Sequence, residues 1–212
     1  DDWSNTAYYP FMNRATNTES SDVRDHIVAV GQRIMARKGF SAVGLNEILT
    51  SAGVPKGSFY YYFASKDAFG DALLDKYFRD YLAELDITLQ QPGMTMAQRL
   101  VSYFEGWRMN QSFSDCQGKC LVVKLGAEVA DLSEPMRLTL KRGTAGIVAR
   151  LAQGIERAVA EDALDVEGEP KQVADSLYQL WLGASVMAKI TRDEAPFDAA
   201  MRTTREILHL SH

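Results

Sequence analysis

The sequence has few of the residues that crosslink chains, bind metals or break helices. Among its 212 residues are 2 cysteines, 3 histidines and 6 prolines, too few for a disulfide scaffold or a histidine-rich metal centre. Apolar runs are short and interrupted by charges, which excludes a membrane-spanning helix of about 20 residues. No basic and apolar signal segment opens the chain. We therefore expect a cytoplasmic globular protein with no membrane partner.

The charge is unevenly distributed along the chain. The whole protein has a formal net charge of −5, but the segment from Ser21 to Lys66 has six basic and three acidic residues. That segment is net positive, at +3, and the remainder is net negative, at −8. Such asymmetry is typical of a small basic module joined to an acidic body. Chance is the competing explanation, because three charges are a small excess.

Apolar residues recur at helical spacing from Asp22 onward, and no segment alternates as a strand would. We predict an all-α fold with about nine helices. Residues 1–21 are polar and aperiodic, and we interpret them as an N-terminal tail. Short helices over residues 22–68 then form one domain, and longer helices over residues 69–212 form a second. The stretch Ser112–Lys119 is predicted to be a loop.

The residues between the second and third short helices predict a helix-turn-helix. Gly53 permits a left-handed turn, and Pro55 begins the next helix without needing a backbone donor. Phe59 and Phe63, four residues apart, would face the core. The outward face would present one cation and four hydroxyls, from Lys56, Ser58, Tyr60, Tyr61 and Tyr62. This face suits a phosphate-lined groove; a tyrosine-rich helix packed against a protein partner is the alternative.

The order of these residues resembles the TetR family of bacterial transcription regulators. The resemblance rests on Gly39-Phe40, Leu45-Asn46-Glu47-Ile48-Leu49, the run from Ala52 to Phe63, and Lys66. It implies a three-helix DNA-binding head over residues 22–68. It also implies an all-α body over residues 69–212 that senses ligands and forms homodimers. The dimers would bind palindromic operators in double-stranded DNA.

The resemblance also assigns roles to single residues of the head. Near base edges it places Lys56, Gly57, Ser58 and Tyr61. On phosphates it places Tyr60, Tyr62 and Lys66. The helix before the turn begins with Gly44, Leu45 and Asn46, which we also predict to contact DNA. Gly44 departs from the family, which often has a Ser or Thr cap there, so its amide is left to meet a phosphate without a hydroxyl.

The body has candidate residues for dimer contacts and for a ligand pocket. The family resemblance implies a dimer bundle from helices over residues 171–190 and 197–209, where Gly183, Ala184 and Ala188 permit close approach. Packing within one subunit is the alternative. Aromatic residues supply ligand-pocket candidates, namely Tyr103, Phe104, Trp107, Tyr178 and Trp181. Most aromatics at helical spacing belong to an ordinary core, so at best a few of them contact a ligand.

The two cysteines, Cys116 and Cys120, do not indicate a metal site. No histidine lies near them in sequence, so we predict no metal and no cofactor. Cys120 follows a lysine, begins a predicted helix and has Lys124 four residues on, a setting that lowers the pKa of a thiol. An inert, small apolar residue is the competing interpretation.

A second resemblance is to TetR-type repressors that sense electrophiles through a cysteine paired with a lysine. It rests on residues 118–125, 127–129, 131–134, 180–184 and 188–190. It implies that Cys120 senses an electrophile or oxidant and that the amine of Lys189 captures the oxidised sulfur. Cys116 has no counterpart in this pattern. A reversible small apolar ligand is the alternative inducer.

Two other classes of function have weaker support. Catalytic residues are not predicted, because the sequence has no phosphate-binding Gly-rich loop with Lys-Ser or Lys-Thr, no metal-ligand cluster and no nucleophile elbow. The third class is a helical interaction protein that does not bind DNA. Salt-dependent binding to a palindromic duplex separates it from a regulator, because phosphate contacts weaken with salt. We predict a DNA-binding regulator, with repression implied by the family.

Overall fold

The computed structural model describes the backbone of residues 12–111 and 120–210, and side chains within residues 22–110 and 120–210. Nine helices follow one another in these segments: α1 Met12–Lys38, α2 Leu45–Ala52, α3 Lys56–Tyr62, α4 Lys66–Leu89, α5 Met96–Gln111, α6 Leu121–Leu132, α7 Glu134–Ala160, α8 Pro170–Thr191 and α9 Ala195–Ile207. The described segments contain no strand. The predicted all-α class is confirmed for this part of the chain.

The first helix is longer than predicted. α1 begins at Met12, so the prediction of an aperiodic tail is wrong for residues 12–21, and residues 1–11 lie outside the described part. The segment from 12 to 30 has neither Gly nor Pro. Extending a helix costs far less than starting one, so the amphipathic part of α1 continues into the polar segment before it.

Local signals set several helix boundaries. α1 ends before Gly39, which has a φ of +91°. Ser65 caps α4 by accepting a hydrogen bond from the amide of Ala68 at 3.0 Å. Thr95 and Gln98 form a reciprocal capping box at the start of α5: each backbone amide donates to the other side chain, at 2.9 and 3.2 Å. These boundaries follow from short-range chemistry that the sequence displays.

Helix α4 belongs to both parts of the molecule. Near its start, the ring of Phe69 lies among the buried rings of Phe59 and Phe63, with centroids 5.4 and 5.0 Å away. Farther along, α4 packs extensively against α7. The predicted boundary between residues 68 and 69 therefore falls inside a continuous helix, and head and body share an element instead of a linker.

An aromatic layer joins the helices of the body. Trp181 of α8 is fully buried and stacks between Phe104 of α5 and Phe197 of α9, with centroids 5.1 and 6.0 Å away. Its indole N–H donates to Thr204 Oγ1 at 2.9 Å, which satisfies the buried donor. None of the helices described here combines the length and apolarity that a membrane span requires.

Helices α4 and α7 cross where one of them has no side chain. Gly143 of α7 lies under the buried ring of Phe78 on α4, and a Cβ at Gly143 would overlap that ring. Along the same pair of helices, the Arg150 guanidinium donates two hydrogen bonds to Asp86, at 2.6 and 3.1 Å. The glycine sets the distance between the helices, and the ion pair fixes their register.

The close crossing gives a stability prediction. Gly143→Ala should lower the free energy of unfolding by about 1–3 kcal/mol, because the new methyl group must displace a ring inside a packed core. Gly126→Ala on α6 is the matched control: its Cβ would make an ordinary contact at 3.7 Å with Val122. The control should gain up to about 1 kcal/mol from helix propensity. Urea denaturation of both variants measures this, and equal stability would contradict the crossing geometry.

Candidate DNA-binding helix and sensor site

The turn between α2 and α3 has the geometry of a helix-turn-helix. Gly53 is left-handed, with φ 66° and ψ 29°. Its amide donates to the Thr50 carbonyl at 3.2 Å, and the amide of Val54 donates to the Leu49 carbonyl at 3.1 Å. Pro55 precedes α3 in an extended conformation. The left-handed turn predicted at Gly53 is confirmed, whereas Pro55 is the N-cap residue before α3 and not its first helical residue.

The outward face of α3 is open to a partner. Phe59 and Phe63 are buried in the head, as predicted. Lys56, Tyr60 and Tyr61 are exposed, and Tyr61 has 77% of its surface free. The Lys56 amine lies 5.8 Å from the centroid of the Tyr60 ring, within range of a cation–π contact. A cation and two phenol hydroxyls therefore stand on one free surface.

The other predicted DNA contacts differ in exposure. Gly44, Asn46 and Gly57 are exposed, whereas Leu45, Ser58 and Tyr62 are half-buried. Leu45 and Tyr62 pack against the core of the head. A Cβ at Gly44 or Gly57 would meet no atom of the described part of the chain within 4 Å. Neither glycine is required by the packing of the protein, which leaves both backbones open to close approach by a partner.

Lys66 has a structural role in the head. Its amine donates to the carbonyl oxygen of Phe40 at 2.8 Å and lies 4.5 Å from the centroid of the Phe40 ring. Burial lowers the pKa of Lys66. The negative charges of Glu128 and Asp67 raise that pKa, but they do not outweigh burial. The phosphate contact predicted for this lysine stays a prediction.

Cys120 lies where three helices of the body meet. It is buried and occupies the N-cap position of α6. The hydroxyl of Tyr77, on α4, donates to Cys120 Sγ at 3.8 Å. Tyr81 on α4 and Tyr103 on α5 share a hydrogen bond of 2.8 Å between their hydroxyls. The buried thiol therefore has one phenol as a hydrogen-bond donor, and a hydrogen-bonded pair of phenols lines the same cavity as Cys120.

The thiol is not activated in the way the sequence predicted. Burial raises the pKa of the Cys120 thiol above its ordinary value. Hydrogen bonds from Val123, Tyr77 and Val122, and the charge of Lys189, lower the pKa but do not outweigh burial. The thiol is therefore largely protonated near neutral pH, and its reactivity depends on groups that stabilise the thiolate when it forms.

The two predicted sensor residues influence each other electrostatically. Lys189 lies near the end of α8 and is exposed as a whole residue, yet burial of its amine lowers its pKa. The charge of Cys120 raises that pKa, and the charge of Lys124 lowers it. A lysine with a lowered pKa has a larger neutral, nucleophilic fraction at physiological pH.

A cavity of about 640 Å³ lies beside Cys120 and is lined by α1, α4, α5 and α6. This volume falls within the range of small-molecule sites. Of the five predicted pocket residues, Tyr103 and Trp107 line the cavity. Phe104, Tyr178 and Trp181 are not among its described lining residues and belong to the buried core. Sequence spacing alone does not separate these two groups.

No group of three or more potential metal ligands occurs among the residues that the structure describes. Cys116, for which the sequence offered no role, lies outside those residues.

Two tyrosines near the thiol were not predicted as part of the site. Tyr77 and Tyr81 are spaced four residues apart on α4, and their rings lie 5.8 Å apart. In sequence they have the spacing of any buried helix face, so they were indistinguishable from core. The sequence signal that could have identified them is the occurrence of two tyrosines on one buried face. Buried phenol hydroxyls need hydrogen-bond partners, so they tend to lie near other polar groups.

Comparison with known proteins identifies the family. The model described as "Bacterial regulatory proteins, tetR family" matches residues 27–73, and "Tetracyclin repressor-like, C-terminal domain" matches residues 97–204. The chain belongs to the TetR family. The resemblance on which the sequence prediction rested is therefore confirmed.

Similar proteins cover nearly the whole chain. The HTH-type transcriptional repressor NemR of Escherichia coli K12 is 40% identical over 201 residues, 93% of this chain and 98% of NemR. The repressor DhaR of Mycobacterium sp. GP1 is 31% identical over 186 residues, 88% of this chain and 92% of DhaR. The crystal structure of reduced E. coli NemR superposes with a TM-score of 0.84, covering 88% of this chain and 97% of that one.

These similarities establish the broad function. The protein is a TetR-type DNA-binding repressor. Its relatives are named as regulators of transcription, which agrees with the absence of a predicted catalytic centre.

Proposed function

We propose that this repressor is a thiol switch, which releases its operator when an electrophile or oxidant modifies Cys120. The observation that carries the proposal is the position of one thiol, buried at the N-terminus of α6, hydrogen-bonded by Tyr77 and electrostatically coupled to Lys189. A group added to Cys120 would enter the cavity that this residue lines and press on the helices that form its wall. The structure of the relative NemR is described as its reduced form, which supports a state that depends on oxidation.

Hypochlorous acid is one reagent with suitable chemistry. The Cys120 thiolate attacks its chlorine and expels hydroxide, so the sulfur is oxidised by two electrons to a sulfenyl chloride. The neutral amine of Lys189 then attacks that sulfur, expels chloride and loses a proton. The product is a sulfur–nitrogen bond that a thiol can reduce. The lowered pKa of Lys189 favours the capture step, which needs a neutral amine.

An activated alkene is a second suitable reagent. The Cys120 sulfur adds to one alkene carbon of N-ethylmaleimide, the π bond breaks, and the thiol proton is transferred to the other carbon. This addition consumes no oxidant and does not need Lys189. The two reagents therefore separate the role of the thiol from the role of the amine.

Binding to the operator would use the free face of α3. Lys56 and the exposed tyrosines supply donors for base edges and phosphates, and the open backbone at Gly57 permits close approach to DNA. The interaction would take place in the cytoplasm, where bacterial DNA lies.

Regulators of this family bind DNA as dimers, and α8 offers a surface for a second copy. One face of α8 is exposed and contains residues three or four positions apart, namely Gly183, Val186, Met187 and Ile190. The side chain of Ile190 has 68% of its surface exposed. Among the residues that the structure describes, none has an atom within 4 Å of a Cβ placed at Gly183. By contrast, Ala184 and Ala188, predicted to face the partner, are buried within the subunit. A homodimer would place its α3 helices in successive major grooves, about 34–36 Å apart.

The cavity beside Cys120 supports a second candidate, induction by a reversible small ligand. Its volume of about 640 Å³ accommodates a small molecule, and its wall includes helices that reach the head. In that case release would not require the sulfur atom. The thiol switch is favoured because Cys120 itself lines the cavity.

The open backbone of α3 gives a prediction on DNA binding. Gly57→Ala should leave the fold intact, because the added methyl meets no atom of the described residues within 4 Å. It should weaken operator binding by at least about tenfold, because the methyl prevents close approach of the DNA. Fluorescence anisotropy with a labelled operator measures affinity, and Gly126→Ala is the control for the same chemical change in the body. Wild-type affinity in Gly57→Ala would contradict the assignment of α3.

The sensor is tested by operator release. Untreated Cys120→Ser should bind operator DNA from the promoter of its own gene as the wild type does, but stay bound after hypochlorite or N-ethylmaleimide. Lys189→Met should still release DNA after N-ethylmaleimide, but should no longer form a reducible sulfur–nitrogen bond with hypochlorite, as intact-protein mass spectrometry would show. Release by Cys120→Ser at the wild-type dose would reject the thiol switch and favour the reversible ligand.

A further inference from the structure

A carboxylate on α6 contacts the turn that leads into the helix-turn-helix. Glu128 Oε2 accepts a hydrogen bond from the amide of Phe40 at 3.0 Å, and Oε1 accepts one from the amide of Ser41 at 2.7 Å. The partners are 88 and 87 residues apart in sequence, so the contact joins the body to the head. Both oxygens of one carboxylate hold consecutive amides, and hydrogen bonds to a charged acceptor are about twice as strong as neutral ones.

The backbone before the turn is shaped around this carboxylate. Gly39 has a backbone φ of +91°, a value that residues with a side chain rarely adopt. A Cβ at this position would lie 3.0 Å from Glu128 Oε2. Burial opposes ionisation of Glu128, but hydrogen bonds from Ser41 and Phe40 outweigh it and hold the pKa of the carboxyl below its ordinary value. The carboxylate therefore stays charged throughout the neutral pH range.

A cation from α4 holds the same turn from the other side. Lys66 donates to the carbonyl of Phe40, the residue whose amide donates to Glu128. One peptide segment is therefore fixed through its N–H by α6 and through its C=O by α4. Helix α2 begins at Leu45, four residues after Ser41. The position of this turn consequently sets the position at which the helix-turn-helix starts.

Helix α6 connects this contact to the thiol. Cys120 is its N-cap, and Glu128 lies eight residues later, about 12 Å along the axis at 1.5 Å per residue. Leu121, Leu125 and Val129 bury one face of the helix against the core. A continuous helix moves as a unit, so a shift at its N-terminus also moves Glu128.

We propose that Glu128 is the positioning residue through which the body sets the orientation of the DNA-binding head. In the unmodified protein the carboxylate holds the turn at Phe40 and Ser41 in the arrangement that binds the operator. Modification of Cys120 shifts α6, withdraws the carboxylate and frees the turn. The coupling to Cys120 rests on the proposed thiol switch, whereas the positioning of the head does not.

The test measures operator affinity of the full chain before and after treatment with N-ethylmaleimide. Untreated Glu128→Ala should bind the operator about tenfold more weakly than the wild type. Treatment should then weaken its binding little further, so the ratio of untreated to treated affinity falls towards one. Glu128→Gln, which keeps a single acceptor oxygen, should give intermediate values for both quantities.

The control variant is Asp86→Ala. It removes a carboxylate that also bridges two helices, but in the body and between α4 and α7. Asp86→Ala should lower the melting temperature but keep the wild-type ratio of untreated to treated affinity. If Glu128 were purely structural, Glu128→Ala would show this same combination. If Glu128→Ala does not fold, Glu128→Gln supplies the same comparison.

Separate outcomes judge the two parts of the proposal. Wild-type operator affinity in untreated Glu128→Ala and Glu128→Gln would overturn the positioning role. A lowered affinity with an unchanged ratio would overturn the coupling to Cys120. If the wild type itself ignores N-ethylmaleimide, the thiol switch fails, and the untreated affinities alone still decide whether Glu128 positions the head.

Discussion

The architecture depends on two aromatic rings of α4 that pack directly on the backbones of glycines in neighbouring helices. Phe69 lies against Gly31 of α1 in the head, and Phe78 lies against Gly143 of α7 in the body, both closer than any side chain would permit. These contacts bring α4 close to α1 in the head and close to α7 in the body. Through these contacts α4 packs closely against both the head and the body.

The proposed sensor site combines burial of a thiol with groups that stabilise its thiolate. Burial favours the protonated form of Cys120, while Tyr77 and Lys189 stabilise the thiolate. A fully activated thiol would react with any passing oxidant, and an isolated buried thiol would not react at all. The site lies between these limits. In the proposed switch a reagent would reach Cys120 through the cavity that this residue lines, and the charge of Lys189 would stabilise the thiolate.

Short-range features were predictable from the sequence, and long-range ones were not. The left-handed turn at Gly53 and the cap at Ser65 follow from the chemistry of residues within four positions, and both are present. The hydrogen bonds between Glu128 and Ser41 join residues 87 apart, and nothing local marks them. The raised pKa of Cys120 was missed for a related reason: proximity to a helix N-terminus is visible in sequence, whereas the depth of burial is a property of the assembled core.

In the proposed switch, the chemical state of the body controls the turn that precedes the helix-turn-helix. The decisive measurement is amide hydrogen exchange at Phe40 and Ser41, before and after modification of Cys120 by N-ethylmaleimide. We expect slow exchange in the unmodified protein, where both amides donate to Glu128, and markedly faster exchange after modification. The amide of Phe63, which donates to Phe59 within the head, should not change. Release of the operator with unchanged exchange at Phe40 and Ser41 would contradict the account.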